Sequence, residues 1–241
     1  MLQVKRKDQI TFLQSQTLQG ISGVVHAFST RRWAGLGDLN RVQFMAAIGA
    51  TGWPLLKLKQ VHSGTVIEMR DTSAANDAIE GDAAVTALRG VMLGVQTADC
   101  VPILIADSRG TAVAAVHAGW RGTAARITEA TVATLSQKYS INPEDLFASI
   151  GPHIGVCCYE VGLEVVEAIG DPAVFEQKAL EAKPYLNLAE ANRRQLIGAG
   201  LPEAQIATTS LCTRCRDDLF FSYRRDGKKT RHLLSVIGMF A

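Results

Sequence analysis

Three residues of types that can bind zinc, His62, Cys100 and His117, each lie at the edge of an apolar run. Imidazole and thiolate are ligands that zinc prefers, and three of them leave a fourth position open, as in catalytic sites. A water at that position becomes a nucleophile near neutral pH. The set predicts a catalytic metal centre, although each residue alone is more simply a loop histidine, an inert thiol or a core histidine.

The apolar runs beside these ligands predict the strands that position them. Residues 91–95 and 101–105 flank Cys100, and residues 111–116 lead into His117. Continuous apolar runs of this length are typical of strands that are buried on both faces. Strand ends hold side chains rigidly, so we expect Cys100 and His117 to face a common site.

Helical patterns follow in the second half of the chain. The spacing predicts a helix from Gly122 to Tyr139, and a glycine-bearing turn before it that directs backbone N–H groups at an anion. Another helix follows the loop 151–155, with a buried stripe at Val161, Val165, Ala168 and Ile169. In a third helix, Asn187 caps the first turn and Glu190 reaches back to that cap. This helix ends at Gly198.

Further strands are predicted at 147–150, 205–211, 219–223 and 233–239, with a turn at 225–227. Helices and strands alternate in the middle of the chain, whereas strands pair at its end. These patterns predict an α/β (α+β) fold: a layered single domain over residues 1–241 with a mixed β-sheet and flanking helices.

Composition restricts the class of protein. Hydrophobic residues make up 47% of the 241 residues and charged residues 20%, as in an ordinary globular domain. The net charge of +2 gives no electrostatic surface for nucleic acid, and no run has the length of a signal peptide or membrane span. We expect a cytoplasmic protein with reduced cysteines. Cys212 and Cys215 are then structural or incidental, with a second metal site as the alternative.

Several motifs resemble, in order, those of the laccase-domain family: Gln-Val-His at 60–62, Gly-Asp-Ala at 81–83, Thr-Ala-Asp-Cys-Val-Pro-Ile at 97–103, His-Ala-Gly-Trp-Arg-Gly at 117–122, Gly-Pro-His-Ile-Gly at 151–155, Cys-Tyr-Glu-Val-Gly at 158–162 and Phe-Phe-Ser-Tyr-Arg-Arg-Asp at 220–226. This family is also called the multicopper polyphenol oxidase or purine nucleoside phosphorylase family, and some members are named peptidoglycan editing factors. The similarity extends from Phe28 to Met239.

The resemblance implies a zinc ion held by His62, Cys100 and His117, with copper as the alternative metal. It also implies a purine nucleoside and phosphate as substrates. The expected reaction is phosphate-dependent cleavage of adenosine, inosine, guanosine or methylthioadenosine, with adenosine deamination as a companion activity.

Other residues are candidates for roles around this metal. Arg31 and Arg121 could hold phosphate, because a guanidinium matches phosphate oxygens. Gln60 and His153 are further substrate-binding candidates, and His153 could also carry a proton. Asp99 could carry a proton or, as we prefer, orient a ligand. Trp120 and Phe28 could form a platform for the base, although both are by default core aromatics.

Several alternatives stay open on the sequence alone. The same ligands would suit a zinc amidohydrolase that edits peptidoglycan precursors, or a copper-dependent polyphenol oxidase. Cys100 could instead be a nucleophile paired with His117, or the metal could serve a non-enzymatic binding module. Only eight residues separate Arg31 from Asn40, where relatives have a longer glycine-rich loop. If that loop covers the nucleoside, its shortening predicts a more open pocket, altered specificity or a different substrate. The sequence predicts no oligomeric state.

Overall fold

The computed structural model describes residues 1–31, 38–72, 79–178 and 183–241, except for the side chains of residues 38–40. The shortened loop expected after Arg31 falls on residues 32–37 and lies outside the described residues. The strands are β1 (Leu2–Lys7), β2 (Ile10–Ser15), β3 (Val24–Ser29), β4 (Leu55–Lys57), β5 (Val66–Glu68), β6 (Ala83–Thr86), β7 (Met92–Thr97), β8 (Val101–Asp107), β9 (Val113–Ala118), β10 (Leu146–Ile150), β11 (Phe175–Glu176), β12 (Tyr185–Leu186), β13 (Ile206–Ala207) and β14 (Leu233–Met239).

The α-helices are α1 (Gln16–Gln19), α2 (Asp38–Ala47), α3 (Trp120–Ala124), α4 (Ile127–Tyr139), α5 (Leu163–Ile169), α6 (Leu188–Gly198) and α7 (Tyr223–Asp226). The first sheet has the strand order β1-β2-β3-β14-β7-β4, and the second sheet has the order β13-β10-β8-β9-β6-β5. Each contains parallel as well as antiparallel pairs: β4 is parallel to β7, and β5 is parallel to β6. Strands β11 and β12 form a small separate pair.

The two sheets pack face to face, with helices on both outer faces. Leu93 of the first sheet and Leu104 of the second lie in the core between the sheets. The neighbouring residue Ile103 points to the other side and packs with Ile127 of α4. On the outer face of the first sheet, Phe44 of α2 packs into a third cluster. The predicted layered fold with a mixed sheet and flanking helices is confirmed, and the sheet is divided into two.

Several predicted elements match the structure closely. Strands β7, β8, β9, β10 and β14 lie where the apolar runs predicted them. Helix α6 begins after Asn187, whose side chain accepts a hydrogen bond from the Glu190 amide at 3.1 Å, as predicted for a cap. Within the described residues, no helix combines the length and the apolar composition needed to cross a bilayer.

The prediction of one helix from Gly122 to Tyr139 was wrong. The chain forms α3 and α4, separated at Arg126, whose φ of 59° is left-handed and cannot continue a helix. Packing favours this break, because Thr123 before it and Ile127 after it are both buried. The predicted buried stripe of α5 was also partly wrong, since Ala168 is exposed.

The strand predicted at 205–211 is confirmed only at β13, which pairs with β10, and the strand predicted at 219–223 was wrong. In the second segment, the chain is irregular and then enters α7, where a turn was predicted at 225–227. The Ser222 side chain accepts a hydrogen bond from the Arg225 amide at 3.2 Å and caps α7. This local bond satisfies an N–H group of the first helical turn and so favours a helix start over a strand.

Candidate active site

The three predicted metal ligands meet where the chain passes from one sheet to the other. His62 lies in the segment that leaves β4 of the first sheet and enters β5 of the second. Cys100 lies in the corresponding segment between β7 and β8. His117 lies within β9 and pairs with Pro102 of β8, so the antiparallel register brings it beside Cys100. Two sheet crossings and one strand register therefore assemble the cluster.

The ligand atoms of His62, Cys100 and His117 all lie within 4.8 Å of one another. The Cys100 Sγ is 3.9 Å from the His62 Nε2, and the two imidazole rings meet edge to face with centroids 4.8 Å apart. His117 is buried, whereas His62 is exposed. The cluster therefore has one anchored ligand at its base and one that faces solvent.

Asp82 holds both histidine ligands in place. The His117 Nδ1 lies 2.8 Å from an Asp82 carboxylate oxygen, which leaves Nε2 of that ring for a metal. The same carboxylate accepts hydrogen bonds from the backbone amides of His62 at 3.0 Å and Ser63 at 2.6 Å. Burial alone would raise the pKa of Asp82, but hydrogen bonds from His117 and Ser63 outweigh it and hold that pKa well below its usual range. Asp82 is therefore an ionised anchor.

The backbone around the cluster is constrained. His62 has a φ of 60° and Asp99 a φ of 95°, a region that non-glycine residues rarely adopt and that is often found at functional sites. Gly119 lies against the ligands, because a Cβ atom built on it would be 3.0 Å from the His62 ring and 3.1 Å from the Cys100 Sγ. Only a residue without a side chain fits there unless the ligands move.

The thiol and the buried imidazole of the cluster perturb each other. Burial would raise the pKa of Cys100 and lower that of His117, but hydrogen bonds outweigh it in both cases. His117 and His62 lower the pKa of Cys100 to about 6, while Asp82 and Cys100 raise the pKa of His117 to about 9. The lowered pKa of Cys100 favours its thiolate, the form that binds metals.

A cavity of about 790 Å³ opens beside the cluster and is lined by all three ligands. Its other walls combine aromatic rings, cationic groups and amides from several elements: Gln60, Gln96, Trp120, Arg121, Tyr159, Tyr223, Arg224 and His232. Burial raises the pKa of Tyr159, so its phenol stays a neutral hydrogen-bond donor. The cavity has the size and mixed lining of a small-molecule site.

The predicted substrate residues Gln60 and Arg121 line this cavity, as does Asp99, which was predicted to carry a proton or orient a ligand. The Gln60 side chain donates to the Gln96 carbonyl at 2.8 Å and accepts from the Gln96 amide at 2.7 Å, so it ties the His62 segment to β7. Asp99 accepts hydrogen bonds from the Thr213 and Ser222 hydroxyls and from the Arg224 amide. These contacts fix the Cys100 turn, which supports the preferred role of Asp99 as an orienting residue.

Arg31 and His153 do not line the main cavity. Arg31 stacks over the Phe221 ring at 5.2 Å and faces a smaller, separate cavity. His153 is buried, and its Nδ1 lies 2.8 Å from the Gly151 carbonyl oxygen. Phe28 is also buried, in the core between the sheets, whereas Trp120 reaches the cavity. Of the two predicted arginines, Arg121 is the one beside the metal ligands.

Sequence reasoning assigned no role to Asp82, Tyr159 or Arg224 and did not single out His232. Asp82 and Tyr159 both belong to motifs that were identified in the sequence. The position of Asp82, directly before a buried strand, could have indicated its functional role. The guanidinium of Arg224 stacks over the Tyr159 ring at 5.2 Å. Arg224 and Tyr159 lie in segments that meet only in the folded chain, so their spacing in the sequence could not predict this contact.

Comparison with known proteins identifies the family. Residues 37–240 match the family model described as multi-copper polyphenol oxidoreductase laccase. The chain is 36% identical over 238 residues to a protein of Deinococcus radiodurans named purine nucleoside phosphorylase, with 90% of this chain and 89% of that protein covered. It is 40% identical over 185 residues to a protein named adenosine deaminase RL5 from an unknown prokaryotic organism, with 72% and 70% covered.

The fold is shared over the whole chain with a solved relative. The crystal structure of YlmD from Geobacillus stearothermophilus aligns with a TM-score of 0.87 at 29% sequence identity, covering 99% of each chain. The family match covers most of the chain and includes all three candidate ligands. The resemblance predicted from the motifs is thereby confirmed, and the chain belongs to the multi-copper polyphenol oxidoreductase laccase family.

Proposed function

We propose that this protein is a zinc-dependent purine nucleoside phosphorylase that cleaves adenosine, inosine, guanosine or methylthioadenosine with phosphate, and that deaminates adenosine as a companion activity. One observation carries the proposal: the His62, Cys100 and His117 cluster lies in the wall of a cavity that also holds aromatic rings and arginines. The names of the Deinococcus relative and of the deaminase relative support the two reactions.

The donor set fits zinc. Two imidazoles and one thiolate are ligands that zinc prefers, and three protein ligands leave a position for water or substrate. The contact from Asp82 to His117 is the carboxylate–histidine arrangement that commonly orients zinc ligands. A bound zinc ion would supply Lewis-acid polarisation of a water or a substrate oxygen. Copper is the alternative metal for this ligand set.

Phosphorolysis breaks the bond from the ribose C1′ to the purine nitrogen and forms a bond from C1′ to a phosphate oxygen, while the purine takes up a proton. The exposed guanidiniums of Arg121 and Arg224 suit the phosphate. Arg121 stacks over the Trp120 ring at 4.2 Å, which restricts its orientation. Tyr159 also lines the cavity, and its phenol can donate a hydrogen bond to a ring nitrogen of the base.

Deamination needs a group that moves a proton beside the attacked carbon of adenine. Asp99 is a poor candidate, because its carboxylate already accepts bonds from Thr213, Ser222 and the Arg224 amide. His232 lines the cavity. Burial, and to a smaller extent the positive charge of His117, lowers the pKa of His232. A neutral imidazole in that position is the better proton carrier.

The test is product analysis by mass spectrometry after incubating zinc-loaded protein with adenosine, inosine and methylthioadenosine, with and without phosphate. We expect free base and the sugar 1-phosphate only with phosphate, and inosine from adenosine in either case. Unchanged nucleosides under every condition would refute the proposal and direct attention to cell-wall peptides or phenols as substrates.

The matched variants are His62→Ala and Arg31→Ala. The first removes an exposed ligand without opening the core and should abolish both products. The second removes an arginine that lies outside the cavity lining and should leave turnover within about twofold of the original. Equal losses in both variants would contradict the assignment of the cavity.

A further inference from the structure

Four cysteines converge at a second place on the chain. Cys157 and Cys158 lie in the loop after β10, and Cys212 and Cys215 lie in the segment between β13 and α7. Their sulfur atoms all lie within 4.8 Å of one another. The Cys215 Sγ is 3.3 Å from the Cys158 Sγ and 3.7 Å from the Cys157 Sγ. Two segments that are distant in the sequence therefore bring four thiols to one point.

We propose that Cys157, Cys158, Cys212 and Cys215 bind a second metal ion, of the zinc class, in a closed tetrathiolate site. Zinc–sulfur bonds of roughly 2.3 Å in a tetrahedron place the sulfurs roughly 3.8 Å apart, close to the spacings in this cluster. A disulfide would bring one pair to about 2.05 Å and would leave the other two thiols without a role.

The groups around the sulfurs fit metal-bound thiolates. The Gly155 amide donates a hydrogen bond to the Cys212 Sγ at 3.2 Å. The Arg214 Nη1 lies 3.5 Å from the Cys158 Sγ, and the Lys178 Nζ donates to the Cys157 carbonyl oxygen at 2.8 Å. Four thiolates and one divalent cation carry a net charge of −2. The two flanking cations offset that charge, which a cluster of neutral thiols would not need.

Gly155 also permits the close approach of the two segments. A Cβ atom built on this glycine would lie 3.1 Å from the Cys157 Sγ and 3.3 Å from the Cys212 Cβ. Such contacts are tighter than most real Cβ contacts, so a side chain would push the cysteines apart. The loop is thus shaped around the sulfur cluster.

This second site would be structural, since four protein ligands leave no position for a substrate. It would join the loop that carries Tyr159, which lines the active-site cavity, to the segment that binds the Asp99 carboxylate. Tyr159 follows Cys158 directly, and Thr213, next to Cys212, binds the Asp99 carboxylate. The inference goes beyond the proposed nucleoside chemistry, because it concerns a different set of ligands and a different role for a metal.

The first test uses the unaltered protein. Cys157 and Cys215 are exposed and would react rapidly with iodoacetamide if they were free thiols. In zinc-loaded protein we expect all four cysteines to be protected, and a strong chelator to restore their alkylation, read at each peptide by mass spectrometry. Equal alkylation of Cys157 and Cys215 with and without zinc would overturn the proposal.

The second test separates the two metal sites. We expect two metal equivalents per chain in the wild type and one in both His62→Ala and the Cys212→Ser/Cys215→Ser pair. Cobalt-loaded His62→Ala should give the intense sulfur-to-cobalt charge-transfer band of a tetrathiolate site. A weak spectrum of oxygen and nitrogen ligands in that variant, or no metal in it, would overturn the proposal. Neither readout depends on nucleoside turnover, so a failed assay of the proposed function leaves this test unaffected.

Discussion

Asp82 is the residue on which the geometry of the His62, Cys100 and His117 cluster most depends. It is fully buried and accepts hydrogen bonds from the His117 ring, the Ser63 hydroxyl and the backbone of the His62 segment. One carboxylate therefore fixes two ligands that are far apart in the sequence. Replacing one of its carboxylate oxygens should therefore disturb the positions of His62 and His117 together.

We predict that Asp82→Asn weakens zinc binding by about 10- to 100-fold, as is typical when the group behind a metal-bound histidine is changed. In this variant, the amide N–H groups would face hydrogen-bond donors that contact a carboxylate oxygen in the wild type. Competition with a chromophoric chelator measures the affinity. Asp107→Asn is the matched control, because Asp107 is equally buried and accepts the Thr111 and Ala112 amides far from the ligands. An unchanged zinc affinity in the Asp82 variant would contradict the anchor role.

Gly119→Ala tests the close packing of the ligands. The added methyl group would lie 3.0 Å from the His62 ring and 3.1 Å from the Cys100 Sγ, so the two ligands must separate. We expect at least a tenfold loss of zinc affinity with the fold retained, checked by chelator competition and circular dichroism. Gly20→Ala is the control, since its nearest neighbour is 3.6 Å away and its φ of −71° suits alanine. Equal affinities in both variants would show that the ligands do not touch this glycine.

At the scale of elements, the site is made by the two segments that pass between the sheets. The turn between β7 and β8 carries Cys100, and its neighbour Asp99 is held at a φ of 95° by bonds from the segment that begins α7. Ser222 both caps α7 and donates to Asp99, so a helix start and a ligand turn are stabilised together. Hydrogen bonds from the start of α7 thus stabilise the unusual backbone conformation at Asp99.

Strand β3 contains a buried histidine that makes stability depend on pH. His26 is 1% exposed and accepts a hydrogen bond from the Ser15 amide at 2.8 Å, so its ring is neutral in the folded state. Burial lowers its pKa from 6.5 to about 4. Between these values the unfolded chain binds the extra proton, so the free energy of unfolding falls as pH falls from 6.5 towards 4. The full loss is about 3 kcal/mol.

The measurement is urea denaturation of the wild type and His26→Gln at several pH values. Glutamine keeps an acceptor for the Ser15 amide but does not titrate, so the variant should lose less stability over this pH range. Parallel pH profiles for the two proteins would show that His26 is not the source of the dependence.

Sequence patterns predicted some elements well and others poorly, for physical reasons. Strands β8 and β9 were recognisable because both faces are buried and every position except Asp107 and His117 is apolar. Burial of both faces also prevented prediction of two separate sheets. Ile103 and Leu104 face different layers, but both are apolar, so the sequence does not distinguish them. At 219–223, apolar spacing resembled a strand, but the cap at Ser222 and its bond to Asp99 decided the conformation.

For the molecule as a whole, the three residues that cluster at the candidate site could be predicted, whereas the groups that hold them in place could not. His62, Cys100 and His117 were identifiable as a candidate set because few residue types are ligands that zinc prefers, and the fold brings the three together. The hydrogen bonds of Asp82 and the approach of Arg224 to Tyr159 arise only when the two sheets and the late loops are assembled. Arg31 shows the converse, because its type suits phosphate while the fold directs it to a separate cavity.

The whole molecule combines a ligand cluster at one end of two packed sheets with a cavity large enough for a nucleoside. The most direct test of zinc-dependent phosphorolysis is base release from adenosine and inosine by the chelator-treated protein, before and after zinc is restored, with and without phosphate. We predict release only when both zinc and phosphate are present. The same rate in the metal-free protein, or release that ignores phosphate, would contradict this function.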